Sequence, residues 1–343
     1  MKALSKLRAG DKVAVLSPSF AAPAKFPEVY ELGLSRLREA FGLVPIEYPT
    51  TRKFGASTEE RAKDLVDAFS NPDIKAVFAT IGGDDQVTYV SNLPSAAFAD
   101  NPKPFFGYSD NTHFENFLWL HGVPSYYGGS IMTQFAMQSR MDEMTVRYLR
   151  YALFETGERE LEASLIYNDV GLGWADVSNL KKERTYEDND GWYWDGEASA
   201  EGTSWGGCVE SIDKIFQYEV AVPSLEQFAD VILFLETSED IPSADYVRHV
   251  VRTLGERGIL ERVRGVLVGR PKAWEFDKPS TSDEKRVYKA VQREAILETV
   301  RIFNSKCPVV QNLDIGHTDP QVPLPNGRLI KIDADARRIS AEF

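Results

Sequence analysis

A chain of 343 residues, at about 100–200 residues per domain, makes two domains or one large α/β unit. Hydrophobic residues at 43% and charged residues at 27% fit a folded protein and exclude a disordered, collagen-like or coiled-coil chain. The 39 Lys and Arg against 52 Asp and Glu leave a net charge of −13, which repels phosphate backbones and anionic lipid and argues against nucleic-acid and membrane partners.

From Asp11 onward, short β-rich runs alternate with amphipathic stretches. KVAVLSPS predicts a strand entering a loop, and FPEVYELGLSRLREAFG predicts a helix that buries Val29, Leu32, Leu34, Leu37 and Phe41. VPIEYP is a second strand. Ser57-Thr58-Glu59-Glu60 carries a capping signature for a helix that runs through Leu65, Val66 and Phe69 to a Pro stop. IKAVFATIGG then predicts a buried strand ending in glycines, followed by a helix after Gly83. PFFGYS is a strand, Asp110 to Leu120 a helix, VPSYYGG a strand, and Met141 to Phe154 a long helix. This β-α-β-α order predicts a doubly wound, largely parallel sheet whose function lies at the carboxyl ends of its strands.

Between about Glu155 and Gly207 the character changes. EDNDGWYWDGEASAEG is acidic, Gly-rich and aromatic, shows neither period, and is longer than compact domains tolerate without a functional reason. The boundaries expected are therefore an N-terminal α/β domain over 1–160, a linker and Trp-rich loop over 161–207, and a smaller C-terminal α/β domain over 208–343. In the last region ADVILFLET and VRGVLVG read as strands, SADYVRHVVRTLGERG and SDEKRVYKAVQREAILETVRIF as helices, and PVVQNLDIGH, RLIKIDAD and RRISAEF as closing strands.

The longest strongly apolar run, Val231 to Leu235, has five residues, far short of a bilayer span. The start, MKALSKLRAGDKVAVLSPS, lacks a continuous apolar segment before a cleavage site, so a cytoplasmic location is expected. Cys208 and Cys307 stand alone without a C-x-x-C and read as buried free thiols. There is no G-x-x-x-x-G-K-[ST], G-x-G-x-x-G or H-E-x-x-H, so neither a cofactor nor a metal is expected.

Chemistry concentrates in three places. Phe105 to Asn111 runs an apolar strand into Ser109 at a helix start, the geometry of a nucleophile elbow, in which the Asp110 N–H would face an oxyanion. Asn111 replaces the final Gly of G-x-S-x-G, and the alternative is that Ser109 or Asp110 caps the helix. Thr80-Ile81-Gly82-Gly83-Asp84-Asp85 ends a buried strand in glycines that let backbone approach a ligand, or that make an ordinary turn. Of the four histidines, His113, His121 and His249 read as surface or helix-end residues, whereas His317 tops a strand where an α/β site would lie. Glu236 ends VILFLE as an acid on an apolar run and could hold the tautomer of that base, or turn to solvent or into a capping network through Ser238 to Asp240.

At these residues the chain resembles the serine peptidase family that contains the LD-carboxypeptidases and the microcin C self-immunity proteins. The similarity runs nearly end to end through GDKVAVLSPS, TIGGDD, FFGYSDNT, SWGGCVESI, LFLETSED and IGHTDPQVPLPNG. It implies a catalytic triad of Ser109, Glu236 and His317, an oxyanion hole from the N–H groups of Gly83 and Asp110, a site between the two domains, and a homodimer. The long Trp-rich segment resembles the extended loop of the immunity branch, in which a tryptophan stacks on a nucleobase. Trp192, then Trp194, match it best by position, the alternative being that Trp174, Trp192 and Trp194 pack the loop on its own domain. Arg270 is a candidate for the anionic part of the substrate, or else a solvated strand-end arginine. The expected activity is hydrolysis of an amide in a small peptidyl- or aminoacyl-nucleotide conjugate. The alternatives are an LD-carboxypeptidase acting on murein tetrapeptide, a non-catalytic ligand-binding protein, and an esterase or lipase, the last weakened by the missing Gly.

Overall fold

The computed structural model describes residues 1–343. Its first part runs β1 (Lys12–Leu16), α1 (Pro27–Phe41), β2 (Val44–Glu47), α2 (Thr58–Ser70), β3 (Ile74–Ala79), α3 (Ser95–Ala99), β4 (Phe105–Gly107), α4 (Thr112–Leu120), β5 (Ser125–Tyr127) and α5 (Glu143–Phe154). The strands assemble in the order β5-β4-β3-β1-β2, all parallel. Helix α2 starts as expected: Ser57 accepts the Glu60 N–H and Glu60 reaches back to the Ser57 N–H, so two orphan donors are satisfied together. After Gly83 no full helix forms. Two 3₁₀ turns at Gln86–Thr88 and Val90–Asn92 precede the five residues of α3, because Pro94 interrupts the run.

The second part contains β6 (Glu158–Leu161), β7 (Ile166–Tyr167), β8 (Glu187–Asp188), β9 (Tyr193–Asp195), β10 (Ala200–Cys208), α6 (Val209–Gln217), β11 (Val231–Glu236), α7 (Ala244–Glu256), β12 (Gly265–Gly269), α8 (Ser282–Phe303), β13 (Val309–Leu313), β14 (Leu324–Asn326), β15 (Leu329–Asp333) and β16 (Arg338–Glu342). Seven of these strands join β10 in an eight-stranded sheet ordered β6-β16-β15-β10-β11-β12-β13-β9, with β10 to β13 parallel and both flanks antiparallel. The aperiodic stretch between 155 and 207 is therefore not one loop. It supplies β6 and β9 to the outside of this sheet, pairs β7 with β8, and enters the sheet centre as β10. Short edge pairings of two to four residues are too brief to carry a period, which is why the sequence pattern missed them.

Strand β14 crosses back to the first sheet and pairs antiparallel with β5. Pro325 sits in it, tolerated because this is an edge position. The hydrophobic core is continuous across the two sheets: Phe78, Phe106 and Tyr127 belong to the same cluster as Phe234, Leu267 and Val310. The rings of Tyr127 and Phe234 lie 5.3 Å apart. Cys208 and Cys307 are buried free thiols, and no helix is long and apolar enough to cross a membrane.

Candidate active site

Strand β4 delivers its chain to Ser109 with φ +64°, a left-handed conformation rare for a residue with a side chain. Such a conformation costs about 1–3 kcal/mol and persists only where its surroundings enforce it. The enforcement is visible: the Ser109 N–H donates to the Tyr127 hydroxyl at 3.0 Å, and its carbonyl accepts from the Thr112 hydroxyl at 2.6 Å. A 3₁₀ turn over Ser109–Asn111 then leads into α4.

The glycine loop after β3 lies directly against this elbow. A Cβ on Gly82 would come 2.9 Å from the Ser109 Cβ, and one on Gly83 would come 2.0 Å from the Ser19 Oγ. Gly83 also takes φ +154°, so a glycine is required there on both counts. Its N–H has no acceptor within the chain. Behind the loop, Arg61 grips Asp85 with two bonds of 2.7 Å while also donating to the Ser19 carbonyl. Ser19 and the Gln86 N–H donate to the buried Asp110 carboxylate at 2.6 and 3.1 Å. Burial raises the Asp110 carboxyl above its usual range, with those two hydrogen bonds opposing. The network fixes the backbone of 82–86 relative to that of 109–111.

Glu236, at the end of β11, is fully buried, and each of its oxygens has a partner: the Tyr127 hydroxyl donates to Oε1 at 2.5 Å, and His317 Nδ1 lies 2.7 Å from Oε2. Tyr127 thus bridges the elbow of one sheet and the acid of the other. Tyr127→Phe leaves the Ser109 N–H and one Glu236 oxygen unpaired at about 1–3 kcal/mol each. Steady-state hydrolysis by this variant is expected to fall about 10- to 100-fold. The His317 ring packs edge-on to Tyr108 at 4.8 Å. Gly316, at φ +92°, leaves room for Glu236, since a Cβ there would come 2.3 Å from its Oε2.

The other ring nitrogen of His317 is also engaged: Nε2 lies 3.0 Å from Oε2 of Glu239, in the turn after β11. Burial alone would depress the imidazole, but Glu236 and Glu239 together override it and raise His317 to about 10. Desolvation at the cavity wall likewise opposes ionisation of Glu239, although about half of its side chain is exposed, and His317 overrides it, holding that carboxyl down at about 2. His113, expected near the surface, is instead fully buried in α4, where burial lowers it to about 3 and keeps it neutral.

Ser109, Gly83 and His317 all line one cavity of about 640 Å³. Its walls add the aromatic rings of Phe20, Phe26, Trp174 and Phe276, and the charged groups of Arg184 and Lys272. Trp174 meets Phe26 edge-on at 5.4 Å. Trp192 and Trp194 are not in this cavity: β9 docks on β13, and both rings, 6.2 Å apart, pack against the core. Neither is Arg270, which is 1% exposed and ion-paired with Asp314, with Thr318 accepting a further bond at 3.0 Å. The two tryptophans matched by position in the loop therefore lie off the cavity wall, and Trp174, which stands alone in GLGWAD, lies on it. Tyr127 carried no signal at all. Glu239 was visible in LETSED only as one acid among several.

Comparison with known proteins follows the same architecture. Residues 13–128 match the LD-carboxypeptidase N-terminal domain and residues 201–332 the LD-carboxypeptidase C-terminal domain. This chain belongs to the LD-carboxypeptidase family. It is a serine hydrolase of that family. Among its relatives, the "Putative carboxypeptidase" of Treponema pallidum (strain Nichols) is 28% identical, over 98% of this chain and 94% of the relative. The microcin C7 self-immunity protein MccF of Escherichia coli is 24% identical, over 97% and 94%. An MccF-like protein from Streptococcus pneumoniae, solved in complex with AMP, superposes with a TM-score of 0.84 at 26% identity, over 97% of this chain and 98% of that one.

Proposed function

We propose that the chain is a serine amidase that cleaves the carbonyl–nitrogen bond of small aminoacyl-nucleotide conjugates through Ser109, His317 and Glu236. The observation that carries this reading is a strained serine and a carboxylate-bound histidine facing one cavity that is also walled by aromatic rings. His317, held by Glu236 in the tautomer that presents Nε2, takes the Ser109 proton as Oγ attacks the carbonyl carbon. The N–H groups of Gly83 and Asp110 receive the oxyanion. His317 then protonates the leaving nitrogen, and water attacking by the same route releases the acyl group from Ser109. Trp174 is the ring best placed to stack on a nucleobase, since it lines the cavity as Trp192 and Trp194 do not. A nucleotide ligand is supported by the AMP complex of the streptococcal MccF-like relative.

The test is a hydrolysis assay read by mass spectrometry, in which wild type and Ser109→Ala each receive an aminoacyl sulfamoyl adenosine and a murein L,D-tetrapeptide. Wild type is expected to cleave the adenosine conjugate, and Ser109→Ala to lose about 10⁴-fold or more while keeping its fold. Cleavage of the tetrapeptide alone would make the protein an LD-carboxypeptidase. Cleavage of neither would leave a ligand-binding protein.

A further inference from the structure

The cavity holds four carboxylates, and three of them are matched by permanent cations. Asp319 pairs with Arg184, which also holds Asp142 at 2.9 Å; Glu275 pairs with Lys272 at 2.6 Å; and Asp169 pairs with Lys285 at 2.5 Å, shared with Glu187, and with Lys289 at 3.8 Å. Glu239 differs: its ion-pair partner is the histidine that must act as base. A base whose Nε2 is held by a carboxylate keeps its proton and cannot receive one from Ser109. The contact therefore has to open before turnover. Glu239 is free to leave, because its side chain is 52% exposed. The turn beneath it stays put: Glu210 accepts from both the N–H and the hydroxyl of Ser238, at 3.1 and 2.6 Å.

We propose that Glu239 is a specificity-determining residue for a substrate ammonium group: it holds His317 Nε2 in the ligand-free enzyme and passes to an ammonium on the carbon next to the scissile carbonyl when substrate enters. The assignment rests on the triad reading above. Its geometry follows from the reaction, since Nε2 must stand within hydrogen-bond reach of Ser109 Oγ while Oγ reaches the carbonyl carbon. A carboxylate displaced from Nε2 is thus already beside the substituent one bond away from that carbon. The cavity's other acids are each already held by a permanent cation, which leaves Glu239 as the one carboxylate there whose partner is released on turnover and which can then face an ammonium. Substrate class is thereby narrowed to acyl groups with a free α-ammonium, and acylated amines are disfavoured because they leave the latch closed.

The proton balance is explicit. When Glu239 transfers to the ammonium, the Nε2 proton of His317 goes to solvent. Neutral Nε2 then accepts the hydroxyl proton as the Oγ–C bond forms, and returns it to the leaving nitrogen as the C–N bond breaks. The charged groups that set this equilibrium from all sides are Glu236 and Glu239 on and after β11, Lys272 after β12, Asp319 on the loop after His317, and Arg184, which reaches Asp319 from the segment before β8. Tyr108 beneath the ring contributes a neutral face.

Two readouts test it. In the ligand-free protein, the ring resonance of His317, assigned by its loss in His317→Asn, is followed against pH by NMR. Glu239→Gln is expected to move its midpoint down by about one to three pH units, the effect of removing one adjacent opposite charge. In kinetics, kcat/KM is measured for an aminoacyl sulfamoyl adenosine and its N-acetyl form. Wild type is expected to prefer the free amine at least about 10-fold, Glu239→Gln to lose that preference as the acidic limb of its kcat/KM profile moves down, and Glu239→Asp to keep part of it. An unchanged midpoint overturns the latch, and a preference unchanged in Glu239→Gln overturns the recognition role. Failure of the parent reading looks different, as a wild-type rate that survives Ser109→Ala, and the NMR arm decides the latch even then.

Discussion

Glu236→Gln is expected to lower kcat by about 10⁴-fold, with circular dichroism and thermal unfolding showing a folded protein. The carboxylate accepts on both oxygens, from the Tyr127 hydroxyl and from the Nδ1 side of His317. An amide of the same shape has one acceptor and one donor. Whichever way it turns, its NH₂ faces one of two groups that had been donating. If it faces His317, the ring takes the tautomer with its proton on Nε2, and the nitrogen that accepts from Ser109 in the proposed mechanism is blocked. If it faces Tyr127, the hydroxyl that receives the Ser109 N–H loses its own acceptor. A kcat within 10-fold of wild type would remove Glu236 from the reaction altogether.

The second large effect concerns stability. Arg270→Ala is expected to destabilise the protein by about 3–5 kcal/mol, read as a shift in the denaturant midpoint. Arg270 and Asp314 are each about 1% exposed at their side chains, and Asp314 also accepts from the N–H and hydroxyl of Ser164, at 2.9 and 2.5 Å. Removing the guanidinium strands a carboxylate that cannot reach water. The guanidinium also lies over the Tyr167 ring at 5.0 Å, so the loss is of packing as well as charge. The double change Arg270→Met with Asp314→Leu is expected to recover most of the stability, because it removes both charges together. A single variant as stable as wild type would show that the pair contributes nothing.

How much of this was legible in the sequence depends on what each residue answers to. The strand-helix alternation from β1 to α5, and the ladder from β11 to β13, announced themselves because long buried strands and two-faced helices impose periods on the chain. Ser109, Glu236 and His317 were singled out because each is a reactive side chain placed where an apolar strand ends. Trp174, Tyr127 and Glu239 answer to partners far away in sequence. Tyr127 reads as one more aromatic on a buried strand until Glu236, 109 positions later, is seen beside its hydroxyl. Arg270 shows the converse. An arginine at a strand end suggests a ligand, but here the strand end is covered, and a buried aspartate has taken its charge. The crossing of β14 was hidden as well, since three residues containing a proline resemble a turn.

That crossing has a consequence for how the protein is made. The first sheet can be completed only after Leu324–Asn326 has been made, roughly 200 residues after its partner β5. At 5–20 residues per second, the nascent chain holds an unpaired β5 edge for about 10–40 s. An open edge of that kind is a template for another chain. Newly begun copies on one message are therefore exposed to each other until residues 324–326 are made, and a truncated product ending before residue 324 never closes the edge.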